Sequence, residues 1–235
     1  MDMRFQDRAD AGRQLAARLA HLRPQNPLVV ALPRGGVPVG CEIARALGAP
    51  LDVLIARKIG APGHAELGIG AVAQGGAFYL NAETVAMLGV TREYIEGVAR
   101  SEFAEIDRRL KAYRGDRPPL DVYGRVVILV DDGLATGATT RAAIRSLRKQ
   151  VPKSLVLAVP VCAADTAADV RREVDDVVCT MIPASFQAVG LWYRDFTQTS
   201  DEEVVDLLTQ MGRSQRGDVE VQRRPEVPET YPSRM

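Results

Sequence analysis

Apolar and polar positions alternate along this chain in two periods, and the switches between them mark out its elements. Residues 5–22 place Ala11, Leu15, Leu19 and Leu22 at helical spacing, which predicts an amphipathic first helix. Residues 28–32 form a short unbroken apolar run ended by Pro33, the pattern of a strand buried on both faces. A helix over 38–48 closes at Gly48, and residues 51–56 read as a second strand. The glycine-rich stretch 60–76 shows no long apolar period and reads as a mobile loop. A long helix over 91–113 follows, with Ile95, Val98, Ala99, Phe103, Ile106, Leu110 and Tyr113 on its apolar stripe. Then come strands at 125–130, 154–161 and 176–181, a helix over 137–149, a further helix between the last two strands, and a final helix over 201–211. Parallel neighbours need crossover connections, so strands separated by helices predict an α/β fold with a central, mostly parallel sheet flanked by helices. One domain is expected over residues 1–212. Residues 213–235 carry three prolines and nine charges with little apolar clustering, and read as a disordered tail.

Composition narrows the function classes. The 235 residues balance 30 Lys and Arg against 30 Asp and Glu, so no global field recruits nucleic acid or an anionic membrane. The longest apolar run, 155–164, is half of what a membrane span needs and contains Pro160. The first seven residues lack the apolar stretch of a secretory signal, so a cytoplasmic protein is expected. Cys41, Cys162 and Cys179 are too few and scattered for a disulfide framework or zinc knuckle, and the two histidines, His21 and His64, exclude a His-rich metal site.

The chemistry concentrates in residues 126–140. An apolar strand delivers two adjacent carboxylates, Asp131 and Asp132, to its C-terminal end, where ligands bind in open α/β sheets. The following turn, with Ala135, Thr136, Gly137, Ala138, Thr139 and Thr140, offers consecutive N–H groups with little side-chain bulk at the start of a helix, a cradle for phosphate. The carboxylates repel phosphate and suit the hydroxyls of a sugar or a magnesium ion. A phosphate at the turn and a diol at the acids describe a ribose 5-phosphate. The bland reading is a solvated acidic turn with glycines making a tight corner. The motif is neither a Walker loop nor a G-x-G-x-x-G fingerprint.

Four apolar residues, two acids and a small-residue loop ending Thr136-Gly137-Ala138-Thr139 resemble the phosphoribosyl diphosphate (PRPP) signature of type I phosphoribosyltransferases. The likeness extends from the first helix to Leu208, and within the family points to a bacterial group whose base substrate is generally unassigned. It implies that Asp131 and Asp132 hold the ribose hydroxyls and contact Mg2+, and that residues 135–140 bind the 5-phosphate. It assigns the diphosphate to Arg34, Gly35 and Gly36, a loop in which the family often carries a cis non-proline peptide. Arg57 and Lys58 stand where similar enzymes place an Arg-Lys pair against the diphosphate, so they join the two acids as catalytic candidates. Each has a bland alternative, as a strand-end arginine or a solvated basic pair. Residues 60–76 would be the lid, with His64 and Glu66 inside it; for His64, an exposed loop histidine is the simpler reading.

The resemblance implies transfer of phosphoribosyl from PRPP to a nitrogenous base, with a purine-like acceptor favoured and a homodimer usual. Hypoxanthine/guanine enzymes place an acid where this chain has Ala135, and the loop resembles that of adenine-type enzymes more closely. A hood over residues 183–200 would hold the base. Phe186, Trp192, Tyr193 and Phe196 cluster there, with Phe186 favoured as the stacking ring over Trp192 and Tyr193; a core or dimer plug is the alternative. Two other functions remain open: a non-catalytic PRPP- or nucleotide-sensing module, and a magnesium-dependent hydrolase acting on a phosphoribose.

Overall fold

A computed structural model describes residues 4–115 and 117–221. Five parallel strands form the main sheet: β1 (Leu28–Ala31), β2 (Leu51–Val53), β6 (Val126–Val130), β7 (Ser154–Val161) and β8 (Asp176–Met181), in the order β2-β1-β6-β7-β8. Alternate residues of each strand enter different cores. Val29, Ala31, Ile128 and Val130 pack under α1 (Arg8–Leu19), α2 (Gly36–Leu47), α4 (Arg92–Arg114) and α7 (Asp201–Val221). Leu28, Val30, Val127 and Leu129 pack under α5 (Ala138–Arg148) and α6 (Ala164–Val170). Ile128 lies opposite Val29 on one side and Val156 on the other, fully buried. Ile128→Val is therefore expected to cost about 1 kcal/mol of stability, read as a lowered denaturant midpoint at unchanged slope.

The helices start where side chains can satisfy their free N–H groups. The Asp7 carboxylate accepts from the Asp10 amide at 2.7 Å to open α1, and Thr91 Oγ1 accepts from the Tyr94 amide at 3.3 Å to open α4. α2 ends as expected at Gly48, whose φ of 63° is the left-handed closure that glycine tolerates.

Three sequence expectations are corrected. Residues 60–76 are not a loop: β3 (Ala56–Ala61), β4 (His64–Ala73) and β5 (Ala77–Leu80) form a separate antiparallel sheet. Gly60 and Gly70 serve close strand approach, and Gly63, Gly75 and Gly76 take positive φ at the turns between strands. A Cβ on Gly60 would lie 2.5 Å from the Ala65 carbonyl oxygen, and one on Gly70 would overlap that of Tyr79. The sheet is anchored by Ile59, Ile69 and Val72 in one core and Ala71, Ala73 and Ala77 in the other. The predicted strand over 51–56 divides, ending as β2 at Val53, and Ala56 onward belongs to this second sheet. A short helix, α3 (Ala82–Met87), was not anticipated. The last helix continues to Val221, past the expected start of the tail at 213; residues 222–235 lie outside the described residues. No helix among the described residues is long and apolar enough to cross a membrane.

Candidate active site

The strand order places a topological switch between β1 and β6: the chain leaves β1 toward β2 and leaves β6 toward β7. The crevice beyond the C-terminal ends of such a strand pair is the standard ligand position of open α/β sheets. β6 delivers Asp131 and Asp132 there, and β1 delivers the turn of Pro33, Arg34, Gly35 and Gly36 beside them. The Leu32 amide donates to the Val130 carbonyl at 2.8 Å, holding the two strand ends together. The Pro33–Arg34 peptide is cis. A Cβ on Gly36 would lie 2.7 Å from the Val130 carbonyl oxygen, and one on Gly35 would overlap Asp132 Oδ2. Gly36 is confined by the β6 backbone, and a side chain at 35 would displace the Asp132 carboxylate, because the loop runs directly against the acids.

Both carboxylates are half-buried rather than freely solvated. Burial, reinforced by the charge of Asp132, raises the Asp131 pKa well above the ordinary aspartate value. Burial also raises that of Asp132, opposed by the neighbouring Arg8 guanidinium. Asp131 Oδ1 accepts from the Asp132 amide at 2.8 Å. Arg8 Nε donates to Asp132 Oδ2 at 2.8 Å.

The loop after the acids is bound on one side only. The Leu134 amide donates to the Val161 carbonyl, and the Ala163 amide to the Leu134 carbonyl, each at 2.9 Å. Thr166 Oγ1 donates to the Ala135 carbonyl at 2.6 Å. Gly137 caps α5 with φ of 73°, and a Cβ there would meet Thr166 Cγ2 at 2.9 Å. The amides of Ala135, Thr136 and Gly137 have no hydrogen-bond acceptor among the described residues. Together with the first turn of α5 they make an open run of donors fit for an anion. Thr136 is exposed and Thr139 half-buried, whereas Thr140, at 1% exposure, is packed inward. Thr140 therefore drops out as a phosphate contact; helical periodicity turns it toward the core.

Arg57 and Lys58 lie on β3, with Arg57 turned to Glu102 of α4, rather than following the second strand of the main sheet. They line a cleft of about 450 Å³ with Glu66, Tyr94, Glu102 and Thr139, so β3 and the phosphate loop share a wall. Arg57 Nε is bound to Glu102 Oε2 at 2.7 Å, while Lys58 is exposed with no ionic partner among the described residues. His64 is exposed near the turn joining β3 to β4. Arg34 is 3.5 Å from Asp201 Oδ1, at the start of α7, and the Tyr113 hydroxyl donates to the same oxygen at 2.5 Å. Burial and that bond push the Tyr113 pKa up to about 12, and the bond lowers that of Asp201.

The segment expected to form the hood is stitched to Phe5 and Gln6. The Phe5 amide donates to the Trp192 carbonyl, the Arg194 amide to the Phe5 carbonyl and the Asp195 amide to the Gln6 carbonyl, at 2.9, 2.8 and 2.9 Å. Tyr193 is only 3% exposed, its ring between Phe5 and Phe196 and its hydroxyl donating to the Asp132 carbonyl at 2.5 Å. It cannot present a stacking face to a base, and the expectation that it does is corrected: Tyr193 fastens the hood to the acid pair. Phe186 and Trp192 are half-buried against the same cluster. Val189 covers Gly133, where a Cβ would overlap Val189 Cγ1. Cys162 and Cys179 are closer than their spacing suggested, with thiol sulfurs 2.9 Å apart across β7 and β8.

The acids and the small-residue loop lie together at the strand end as the sequence placed them, whereas Arg8, Glu102 and Asp201 were missed. None sits in a local motif; each meets its partner only through the tertiary fold.

A parallel sheet whose switch point carries an acid pair, an open amide loop and a Gly-Gly turn places this chain among open α/β proteins with a crevice at the carboxyl ends of the strands. The family model described as a phosphoribosyl transferase domain matches residues 5–194, and the chain belongs to that family. Two relatives from Mycobacterium tuberculosis, strains CDC 1551 / Oshkosh and ATCC 25618 / H37Rv, are named provisionally as phosphoribosyl transferases. Each is 45% identical over 209 residues, covering 89% of this chain and 47% of its own, so the chain spans about half the length of these curated relatives. The crystal structure of TT1426 from Thermus thermophilus is 40% identical, covers 89% of this chain and 99% of its own, and superposes with a TM-score of 0.75.

Proposed function

We propose that this chain transfers a 5-phosphoribosyl group from PRPP to a ring nitrogen of a nitrogenous base, purine-like by preference, releasing diphosphate. The observation that carries this reading is the juxtaposition at one strand end of free amides and paired acids. The amides of Ala135, Thr136 and Gly137 take the 5-phosphate, with Gly137, Ala138 and Thr139 opening α5 behind them. Asp131 and Asp132 accept from the ribose hydroxyls. The turn of Arg34, Gly35 and Gly36 lies beside them for the diphosphate, with Arg34 and Lys58 supplying positive charge where negative charge grows as the leaving group departs. Arg57, held by Glu102, lines the same cleft, and Phe186 offers its ring to the base.

Displacement at ribose C1 has a loose transition state, so the protein's task is to position groups and balance charge. The oxygen donors of Asp131 and Asp132 are the type a hard cation takes. No cluster of three or more His, Cys, Asp or Glu suited to a metal exists among the described residues, so they would hold Mg2+ jointly with substrate oxygens. When bound, Mg2+ supplies positive charge that offsets the diphosphate.

The reading is tested by absorbance or radiolabelled-base assays with PRPP and Mg2+ across purines, pyrimidines and other heterocycles. Tight PRPP binding without turnover on any base would sink the transferase and leave a sensing module; phosphate release from PRPP without a base would point to the hydrolase. Within the site, Thr136→Val is expected to weaken 5-phosphate ligands by about 1 kcal/mol, roughly fivefold in Kd, measured by calorimetry. An unchanged Kd removes the Thr136 hydroxyl from the cradle.

A further inference from the structure

Arg8 opens α1 in the first turn after the Asp7 cap. The positive end of the helix dipole disfavours a cation there, so helix formation does not account for this residue. Nor does solvation, since its side chain is only 11% exposed. Its guanidinium has three contacts: Nε donates to Asp132 Oδ2 at 2.8 Å, Nη1 donates to the Thr197 carbonyl at 2.7 Å, and the guanidinium carbon lies 3.9 Å from the Phe196 ring centroid. The absent Cβ of Gly35 provides the niche into which Oδ2 turns to reach Arg8. Arg8 thus engages one oxygen of Asp132 and leaves Oδ1 without a side-chain partner among the described residues. The Tyr193 hydroxyl fixes the backbone of the same residue from the hood.

We propose that Arg8 is a positioning residue for the sugar-binding acid: it clamps one oxygen of Asp132, offsets the repulsion between Asp131 and Asp132, and so presents Oδ1 to the ribose hydroxyls. The proposal rests on the reading of the acid pair as the ribose site. It assigns to the N-terminal helix, 124 positions away in sequence, a part in ligand selection that no local motif announces. Arg8 itself touches no substrate. Its effect is on recognition of the sugar and not of the phosphate, whose cradle lies on the far side of Gly133.

Calorimetry on the full chain, with ribose 5-phosphate and inorganic phosphate as paired probes, tests this. Arg8→Gln is expected to weaken ribose 5-phosphate about tenfold, the scale of a charge-assisted hydrogen bond, and to leave inorganic phosphate unchanged. Arg8→Lys, which keeps the charge without the Nε geometry, should recover part of the loss. In an Asp132→Asn background Arg8→Gln should add much less, because the carboxamide at 132 can keep the hydrogen bond but carries no charge for Arg8 to offset.

Equal weakening of both probes, or an undiminished Arg8→Gln effect in the Asp132→Asn background, would show that Arg8 merely holds the hood and would overturn the proposal. A wild-type chain that prefers ribose 5-phosphate, with an Arg8→Gln variant that prefers it equally, overturns the proposal and leaves the functional reading standing. A wild-type chain that binds inorganic phosphate but gains nothing from the ribose overturns the functional reading itself. Should Arg8→Gln fail to fold, Arg8→Lys carries the same test: a smaller loss confined to ribose 5-phosphate supports the clamp, and an unchanged preference defeats it.

Discussion

Converting both strand-end acids to amides, Asp131→Asn with Asp132→Asn, is expected to lower kcat/KM by about a thousandfold or more while the chain stays folded. In the proposed reaction the loss follows from charge: the amides can still accept a hydrogen bond from a hydroxyl but would not offset the charge of Mg2+ or of a cationic sugar. The fold should survive because the carboxamide oxygen of the Asp131→Asn side chain can still accept from the backbone N–H of position 132, and because the strand below is held by Ile128, Leu129 and Val130. Asp131 is in fact a burden on stability. Burial and Asp132 raise its pKa in the native state, so between the ordinary aspartate value and the raised one the native chain holds a proton that the unfolded chain has released. Wild-type stability therefore falls as pH rises through that window, and Asp131→Asn alone should show a smaller fall, the part that the buried Asp132 carboxyl still contributes. The check is a pair of thermal melts across pH without added metal, in which the gap in Tm in favour of Asp131→Asn widens toward neutrality. Loss of folding in the double variant would show instead that the pair is structural.

This cost in stability also explains why the acid pair was legible from sequence. Two adjacent carboxylates at the end of a fully apolar strand have no packing rationale, so they stand out against Val126–Val130 as chemistry. The parallel strands were legible for the complementary reason: buried on both faces, they leave unbroken apolar runs that turn residues cut cleanly, as Pro33 does after Leu32. The β3–β4–β5 sheet left no such trace. Gly60, Gly68 and Gly70 interrupt the alternation of Ile59, Ile69 and Val72, and the feature that lets these strands approach closely is the one that reads as flexibility in a linear pattern. That misreading carried Arg57 and Lys58 to the wrong element, although the fold still brings them to a cleft shared with Thr139.

The partners of the site were illegible because they arise from pairings distant in sequence. Arg8, Glu102 and Asp201 lie on α1, α4 and α7, in segments that read as ordinary amphipathic or solvated surface. Each carboxylate–guanidinium pair fixes a side chain that the motif alone leaves free to rotate. The aromatic cluster failed differently. Its composition marked a special segment, but composition does not say which way a ring faces, and Tyr193 turned out to be the hood's own core.

Gly35→Ala is expected to be nearly as damaging as loss of the acids, by a route that leaves every functional group in place. Gly35 has φ of −61° and ψ of −30°, a backbone any residue adopts, so alanine there carries no conformational strain. The obstacle is purely the overlap of the added Cβ with Asp132 Oδ2, with Arg8 Nε at 3.0 Å behind it. A methyl group cannot share that space, so the carboxylate must rotate away and abandon the arginine. Overpacking of this kind costs on the order of 1–3 kcal/mol of stability. On the proposed reading the functional loss should be larger, about a hundredfold in affinity for PRPP, because a misplaced acid would no longer meet the ribose. The two effects separate in the double variant Gly35→Ala with Asp132→Gly. Removing the clashing carboxylate should restore thermal stability toward wild type but restore no binding. If Gly35→Ala alone binds PRPP as wild type does, the strand-end acid is not pinned by its neighbours, and the tight apposition of the β1 turn and the β6 acids has no part in ligand recognition.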